Sequence, residues 1–285
     1  MGIKKSRLLN RILMYTLNIF LAVVFLAPLV WMVVSSVKPE VNIFADMTSV
    51  RAFLPISGSL DNYRSILEKG EIVRTMLNSL YYVTIMIGLG LIVNSMCGFA
   101  LAKLQFRGRD FLFSLIVALI IIPLESIILP LYFMIFKFKM LNTFSALIAP
   151  FTANCFSIFL FRQFFVDIPD SLLEAAYIDG ASPLKAFFKI VLPLSFPVYA
   201  TVLILQFIEH WGDFLWPVLV TDDRTKTVQL GLQTLFTAPP VHYGPIFAAL
   251  TLSTLPVVVM FIFFQKYYVQ GIAQSGIKGK ERITE

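Results

Sequence analysis

The sequence predicts an all-α membrane protein, a polytopic bundle of six transmembrane helices. Three observations predict it. Of 285 residues, 58% are hydrophobic and 14% charged, and the mean hydropathy is +0.81, whereas a soluble chain needs more charge to cover its surface. Six apolar runs, each near the roughly 20 residues that cross a hydrocarbon layer of about 30 Å, alternate with charged stretches. Lys and Arg are unequally shared between the two sets of connecting segments, as expected of an oriented membrane chain. The same composition excludes secreted disulfide-stapled and disordered classes. The formal charge of +6 is spread over loops and tails with no basic helix or patch, so no nucleic-acid partner is implied.

The first span is placed at Ile12–Val34. Lys4, Lys5, Arg7 and Arg11 precede it as in a signal peptide, but its apolar run is about twice the usual length and no small-residue cleavage site follows. It is read as an uncleaved span after a tail over residues 1–11. The second span is Met76–Ala102. The third, Phe111–Phe136, carries Glu125 beside Pro123, and the fourth is Thr143–Phe161. The fifth is Leu194–Leu219 and the sixth Ile246–Tyr268, followed by a tail over residues 270–285. Residues 12–269 thus form one transmembrane domain. With the N-terminus cytoplasmic, fourteen of the 23 Lys and Arg residues fall inside and nine outside, so both termini are expected in the cytoplasm of a cell-membrane protein. Trp31, Trp211 and Trp216 mark span ends, where amphipathic rings prefer to sit. Cys97 and Cys155 lie within apolar runs and read as small buried hydrophobes.

The segment 162–193 is too long and too patterned for a simple connection. Ser171-Leu172-Leu173-Glu174 fits a capping box that opens a short helix after Pro169. Gly180 suits the left-handed turn at its end, and Ser182-Pro183 restarts a second helix with an N-cap and a proline at its first position. Leu184, Phe187, Phe188 and Val191 would give that helix an apolar face. Such a knob either binds a partner or packs beneath the bundle.

Polar groups inside spans are expensive. Gln206, Glu209, His210 and Asp213 recur at i, i+3, i+4 and i+7, one stripe of the fifth helix running from about the midplane to the outer interface at 1.5 Å per residue. Glu125, Asn94 and Asn154 lie in the third, second and fourth spans. No phosphate-cradling GxxxxGK[ST] loop is present, and Gly88-Leu89-Gly90 is not completed as a dinucleotide motif. The two histidines, His210 and His242, are far apart, and no metal-ligand spacing or nucleophilic triad occurs. The chain reads as neither an enzyme nor a metal binder, with no cofactor of its own.

Glu174-Ala175-Ala176, then Gly180, then Ile190-Val191-Leu192-Pro193 resembles the EAA motif of membrane subunits of binding-protein-dependent ABC importers. Further matches resemble the carbohydrate-uptake branch, in particular the shorter membrane subunit of maltose-type importers. They include Asn78-Ser79, Gly98-Phe99-Ala100-Leu101-Ala102-Lys103, Ile178-Asp179-Gly180-Ala181-Ser182 and Trp211-Gly212-Asp213-Phe214-Leu215-Trp216-Pro217. The family often has Asn where Gly212 stands.

The resemblance implies the type I importer permease fold and a heteromeric complex. Its partners would be a homologous second membrane subunit, two ATPase subunits that use ATP and Mg, an extracytoplasmic solute-binding protein, a sugar-like solute and the surrounding membrane lipid. It implies that Glu174, Ala175, Ala176, Asp179, Gly180 and Ala181 form the coupling helix against an ATPase subunit. The tail around Gln274–Lys278 would touch the ATPase pair, and Leu230, Gly231, Leu232 and Phe236 in the loop Val220–Pro245 would face the binding protein. Candidate solute-pathway residues are Gln206, Glu209, Asp213, Trp211, Asn154 and Glu125, with Trp211 or Trp216 offering a ring to a sugar face. Against this stands a role for the same groups in holding helices together. A different class, a proton-coupled secondary transporter using Glu125, Glu209 and Asp213, would often show two related halves, and no repeat is evident.

Overall fold

The computed structural model describes the backbone over residues 2–281 and side chains over residues 10–265. The side chains of the implied tail contacts at Gln274–Lys278 therefore lie outside the described residues, as does the end of the tail. Among the described residues every regular element is helical. In chain order they are α1 (Gly2–Ser36), α2 (Glu40–Ala45), a 3-10 turn (Val50–Phe53), α3 (Asp61–Lys69), α4 (Glu71–Lys103), α5 (Arg109–Ile120), α6 (Leu124–Lys137), α7 (Phe144–Thr152) and α8 (Cys155–Val166). Then follow α9 (Asp170–Ile178), α10 (Pro183–Ala186), a π turn (Phe187–Val191), α11 (Leu192–Leu194), α12 (Phe196–Trp211), α13 (Leu215–Val220), α14 (Val228–Thr237) and α15 (Tyr243–Glu281).

Among the described residues four stretches are long and apolar enough to cross a membrane unbroken: Asn10–Ser36, Glu71–Lys103, Phe144–Val166 and Tyr243–Gln265. Two bent pairs raise the number to six if each counts as one span. In the first, α5 and α6 meet at 105°, so the expected third span is not one straight rod. Pro123, extended at φ −70° and ψ 143°, is the N-cap of α6 and cannot continue the preceding helix. Glu125 consequently sits exposed in the first turn of a redirected helix rather than along a continuous third span. In the second pair, Pro183–Leu194 and α12 meet at 78°. The π turn within the former relieves the conflict that Pro193 would create, since proline lacks an amide and its ring crowds the carbonyl four residues back.

The chain divides into two compact units. One comprises the segments up to Arg74 and Gly231–Leu255. In it the segment after α1 is a fastened structure. The Lys38 side chain is buried, pairing with Asp46 at 3.1 Å and donating to the Arg51 carbonyl at 2.6 Å. Asn62 Nδ2 donates to the carbonyls of Ser36 and Lys38, both at 2.9 Å. Glu40 accepts the Tyr243 amide at 2.9 Å and faces His242 Nδ1 at 3.1 Å. Along Asn10–Ser36, by contrast, α1 is covered by little of its own chain.

The second unit comprises Thr75–Leu230 and the segment from Pro256. A hydrophobic core in it joins Phe99 of α4, Phe161 and Phe165 of α8, Leu173 of α9, Phe187 and Val191 of the π turn, and Val198 and Val202 of α12. Gly98 permits this packing. A Cβ there would lie 2.7 Å from Phe161 Cβ and 3.0 Å from the Arg162 amide nitrogen, so α4 and α8 approach through a position only glycine can fill. One turn earlier Asn94 bonds across the break between α7 and α8, donating to the Thr152 carbonyl at 3.1 Å and accepting the Asn154 amide at 2.9 Å.

Candidate coupling knob and polar interior

The segment between α8 and α12 folds as a two-helix knob, although it starts differently from expectation. Pro169, not Ser171, is the N-cap of α9, and it offers no side-chain bond. The capping box is not formed, because the extended Pro169 starts the helix one residue ahead of Ser171. The other end follows the sequence closely. Gly180 has φ +77°, the Ala181 amide donates to the Ala176 carbonyl at 2.9 Å, and the Gly180 amide donates to the Tyr177 carbonyl at 3.0 Å. This pair of bonds is a Schellman cap, which satisfies carbonyls that the helix end leaves free. Ser182 then accepts the Lys185 amide at 3.3 Å and Pro183 occupies the first turn of α10.

The knob has two faces. Leu173, Ala186, Phe187 and Val191 are buried in the core that reaches the spans, whereas Leu184 and Phe188 are more than half exposed and do not complete the expected apolar face. The widened π turn departs from the 3.6-residue period on which that expectation rested. Outward lie Glu174, Ala175, Asp179 and Gly180, with Ala176 and Ala181 partly covered. Ile178 is 86% exposed, a large apolar side chain at the tip of a helix end. At the base, Lys103 from the last turn of α4 donates to the Ile168 carbonyl and to Asp170 Oδ1, both at 2.6 Å.

The polar stripe of the fifth span is shorter than its spacing suggests. α12 ends at Trp211 with Gly212 as its C-cap, so Asp213 leaves the helix and instead accepts the Trp216 amide at the start of α13, at 3.4 Å. Gln206 is buried with Nε2 3.5 Å from Glu209 Oε2, while Glu209 is exposed. Tyr82 donates its hydroxyl to the His210 carbonyl. Trp211 is buried and stacks on Phe207 at 5.4 Å. Trp216 is fully buried, its indole donating to the Ala146 carbonyl at 2.9 Å, so neither indole presents an open face. Asn154 caps α8 by accepting the Ser157 amide at 2.8 Å.

Residues Leu230, Gly231 and Leu232 belong to a helix, α14, and are buried, while Phe236 is 48% exposed. The segment after α13 is organised by Asp222, whose carboxylate accepts from Thr225 and Arg224 at 3.0–3.2 Å. Desolvation alone would raise its pKa, but these bonds outweigh that effect and hold the carboxyl below its ordinary range. Among the described residues no group of His, Cys, Asp and Glu could hold a metal. Asn78, Ser79 and Lys103, motif residues to which the sequence assigns no role, each make bonds to distant parts of the chain.

Helices long and apolar enough to cross a membrane, with a two-helix segment between α8 and α12, define a polytopic membrane component. The chain belongs to the family of binding-protein-dependent transport system inner membrane components, whose pattern matches residues 87–274. It is similar to the arabinooligosaccharides transport system permease protein of Halalkalibacterium halodurans, 34% identical over 91% of this chain and 94% of the relative. It also resembles the diacetylchitobiose uptake system permease protein of Streptomyces coelicolor, 30% identical over 92% of this chain and 87% of the relative. A crystal structure of a bacterial ABC transporter involved in the import of the acidic polysaccharide alginate contains a chain that superposes with a TM-score of 0.81. The two are 25% identical, and the match covers 93% of this chain and 98% of that one. The chain is thus a multi-pass membrane permease subunit with the importer permease fold, and it is not itself an enzyme.

Proposed function

We propose that this subunit moves a sugar, oligosaccharide or related polyol across the cell membrane by alternating access, driven by ATP that two partner ATPase subunits hydrolyse with Mg. A second, homologous membrane subunit completes the pathway, and an extracytoplasmic binding protein delivers the solute. Both termini and the knob face the cytoplasm, consistent with the excess of Lys and Arg on that side. The names of the relatives, which concern arabinooligosaccharides and diacetylchitobiose, support the solute class.

The observation that carries this reading is the form of the knob. Its inner face is welded to α4, α8 and α12, and its outer face presents Glu174, Ile178 and Gly180 uncovered. A helix end seated in an ATPase cleft would pass any movement of that cleft to the spans as a rigid lever. Closure of the ATPase pair on ATP would then open the cavity towards the binding protein. Among the pathway candidates, the exposed Glu209, with Gln206 3.5 Å away, would accept hydroxyl donors from the solute. Asp213, Asn154, Trp211 and Glu125 serve first as cap, helix junction, packing or a redirected helix start. Outside, Phe236 is the exposed contact for the binding protein.

Two substitutions test the coupling. Proline cannot adopt the φ of +77° at Gly180, so Gly180→Pro should break the cap, and Glu174→Lys should reverse the charge on the docking face. Each is expected to abolish uptake and solute-stimulated ATP hydrolysis while the subunit stays in the membrane. Wild-type stimulation in either variant would overturn the reading.

A further inference from the structure

We propose that α4 is a strut linking the docking states of its two ends, with Asn78 and Ser79 as positioning residues at one end and Lys103 at the other. The inference rests on the coupling role proposed for α9 and adds a route from it to the opposite face of the membrane.

Near its start, α4 grips the segment that leads into α14. Asn78 Nδ2 donates to the carbonyls of Arg224 and Lys226, at 2.8 and 2.9 Å, and Ser79 Oγ accepts the Val228 amide at 2.8 Å. That amide belongs to the first residue of α14 and has no partner within its own helix, so α4 supplies the cap from outside. At its end, α4 grips the base of the knob. The Lys103 side chain is 5% exposed, and its ammonium reaches Ile168 O and Asp170 Oδ1 at 2.6 Å and Val166 O at 3.5 Å. An ammonium has three protons, and its two close acceptors lie at the joint between α8 and α9. Asp170 is 75% exposed, so the ion pair itself contributes little, and the short, part-buried bond to the Ile168 carbonyl makes the tie.

From Asn78 to Lys103 the helix rises about 37 Å at 1.5 Å per residue. It is supported along the way. Gly90, Asn94 and Gly98 recur every four residues on one face, with Gly98 pressed on α8 and Asn94 bonded across the junction of α7 and α8. A rod held at both ends and along one side cannot follow α9 at one end without displacing the segment 222–228 at the other. Apart from the Lys103–Asp170 pair, both grips are hydrogen bonds to main-chain atoms, which fix the positions of the two segments with little dependence on those segments' own side chains. The two grips lie on the motifs that open and close the helix in the sequence.

The test uses the full chain in its complex with the ATPase subunits and binding protein, in lipid nanodiscs, with Cys97 and Cys155 replaced by Ser. A spin label is placed either at Ile178→Cys, on the knob, or at Asp223→Cys, on the gripped segment, and MgATP with vanadate is added. Both labels are expected to respond in the otherwise unchanged chain. In Lys103→Met the response at 223 should fall about fivefold or more, the range of an allosteric coupling, while that at 178 persists. Lys103→Arg should restore most of it. Asn78→Ala should silence 223 with Lys103 intact, and it serves as the test if Lys103→Met does not assemble. A full response at 223 in Lys103→Met or Asn78→Ala overturns the strut. A silent label at 223 beside a responsive one at 178 in the unchanged chain also overturns it and leaves the proposed coupling standing. Silence at both positions overturns the two together.

Discussion

Gly88 and Gly98 lie ten residues apart on α4, and the same substitution at each should act with opposite sign. Replacing a helical glycine by alanine restricts the unfolded chain and favours the helix by about 0.5–1 kcal/mol. At Gly88 the new methyl would meet nothing within 4 Å, so that gain is the whole effect. At Gly98 it would lie 2.7 Å from Phe161 Cβ, 3.0 Å from the Arg162 nitrogen and 3.2 Å from the Ile158 carbonyl oxygen. Carbon atoms prefer a separation of about 3.5–4.0 Å, so α4 and α8 must part by roughly 1 Å, and two of the three contacts are main chain that cannot rotate away. Overpacking of this kind costs about 1–3 kcal/mol, and with main chain on both sides of the clash a cost of about 2 kcal/mol exceeds the helix gain and leaves Gly98→Ala less stable by about 1 kcal/mol. Thermal unfolding of the detergent-purified subunit, followed by loss of its monodisperse elution peak, reads the difference. Gly88→Ala should melt at or above the parent temperature and Gly98→Ala clearly below it. Equal melting of the two would refute the close approach on which the packing of α4 rests.

Asn94→Ala should leave the Thr152 carbonyl and Asn154 amide unbonded inside the bundle, at a cost of about 1–3 kcal/mol, and hydrogen exchange at Asn154 should rise selectively. Asp222 offers a pH dependence. A carboxyl whose pKa falls on folding contributes stability above its unfolded value of about 3.8 that is lost as pH drops through the lower folded value. The amides of Arg224 and Thr225 should thus keep their protection at pH 5 and lose it only below the ordinary carboxylate range, and Asp222→Asn should remove this dependence, as amide exchange corrected for intrinsic rates would reveal.

Much of this architecture was legible because the bilayer imposes simple rules. Long apolar runs gave the spans of α1, α4 and α15, and Gly180, Ser182 and Pro183 marked the two-helix knob through conformations that few other residues adopt. The bends were harder to read. Hydropathy reports whether a segment is apolar and says little about direction, so the 105° turn before Pro123 was hidden inside one apolar run. The stripe from Gln206 to Asp213 assumed an unbroken helix, and a C-cap at Gly212 interrupts it. Capping at Ser171 failed for a local reason, since Pro169 starts α9 earlier. Clamps such as Lys103 on Ile168 join residues 65 positions apart, and nothing in local spacing specifies such a pair.

The central claim is that the exposed end of α9 docks on an ATPase subunit, and site-directed photocrosslinking in native membranes tests it most directly. A photoreactive residue replaces Ile178, which is 86% exposed at the tip of the knob, and a second probe replaces Val41, 82% exposed on α2, as a control. Position 178 should yield an adduct whose partner, identified by mass spectrometry, carries a GxxxxGK[ST] phosphate-binding loop, and MgATP should change its yield. Position 41 should not. An ATPase adduct absent at 178, or equally abundant at 41, would contradict the assignment of this knob as the point where ATP hydrolysis reaches the membrane.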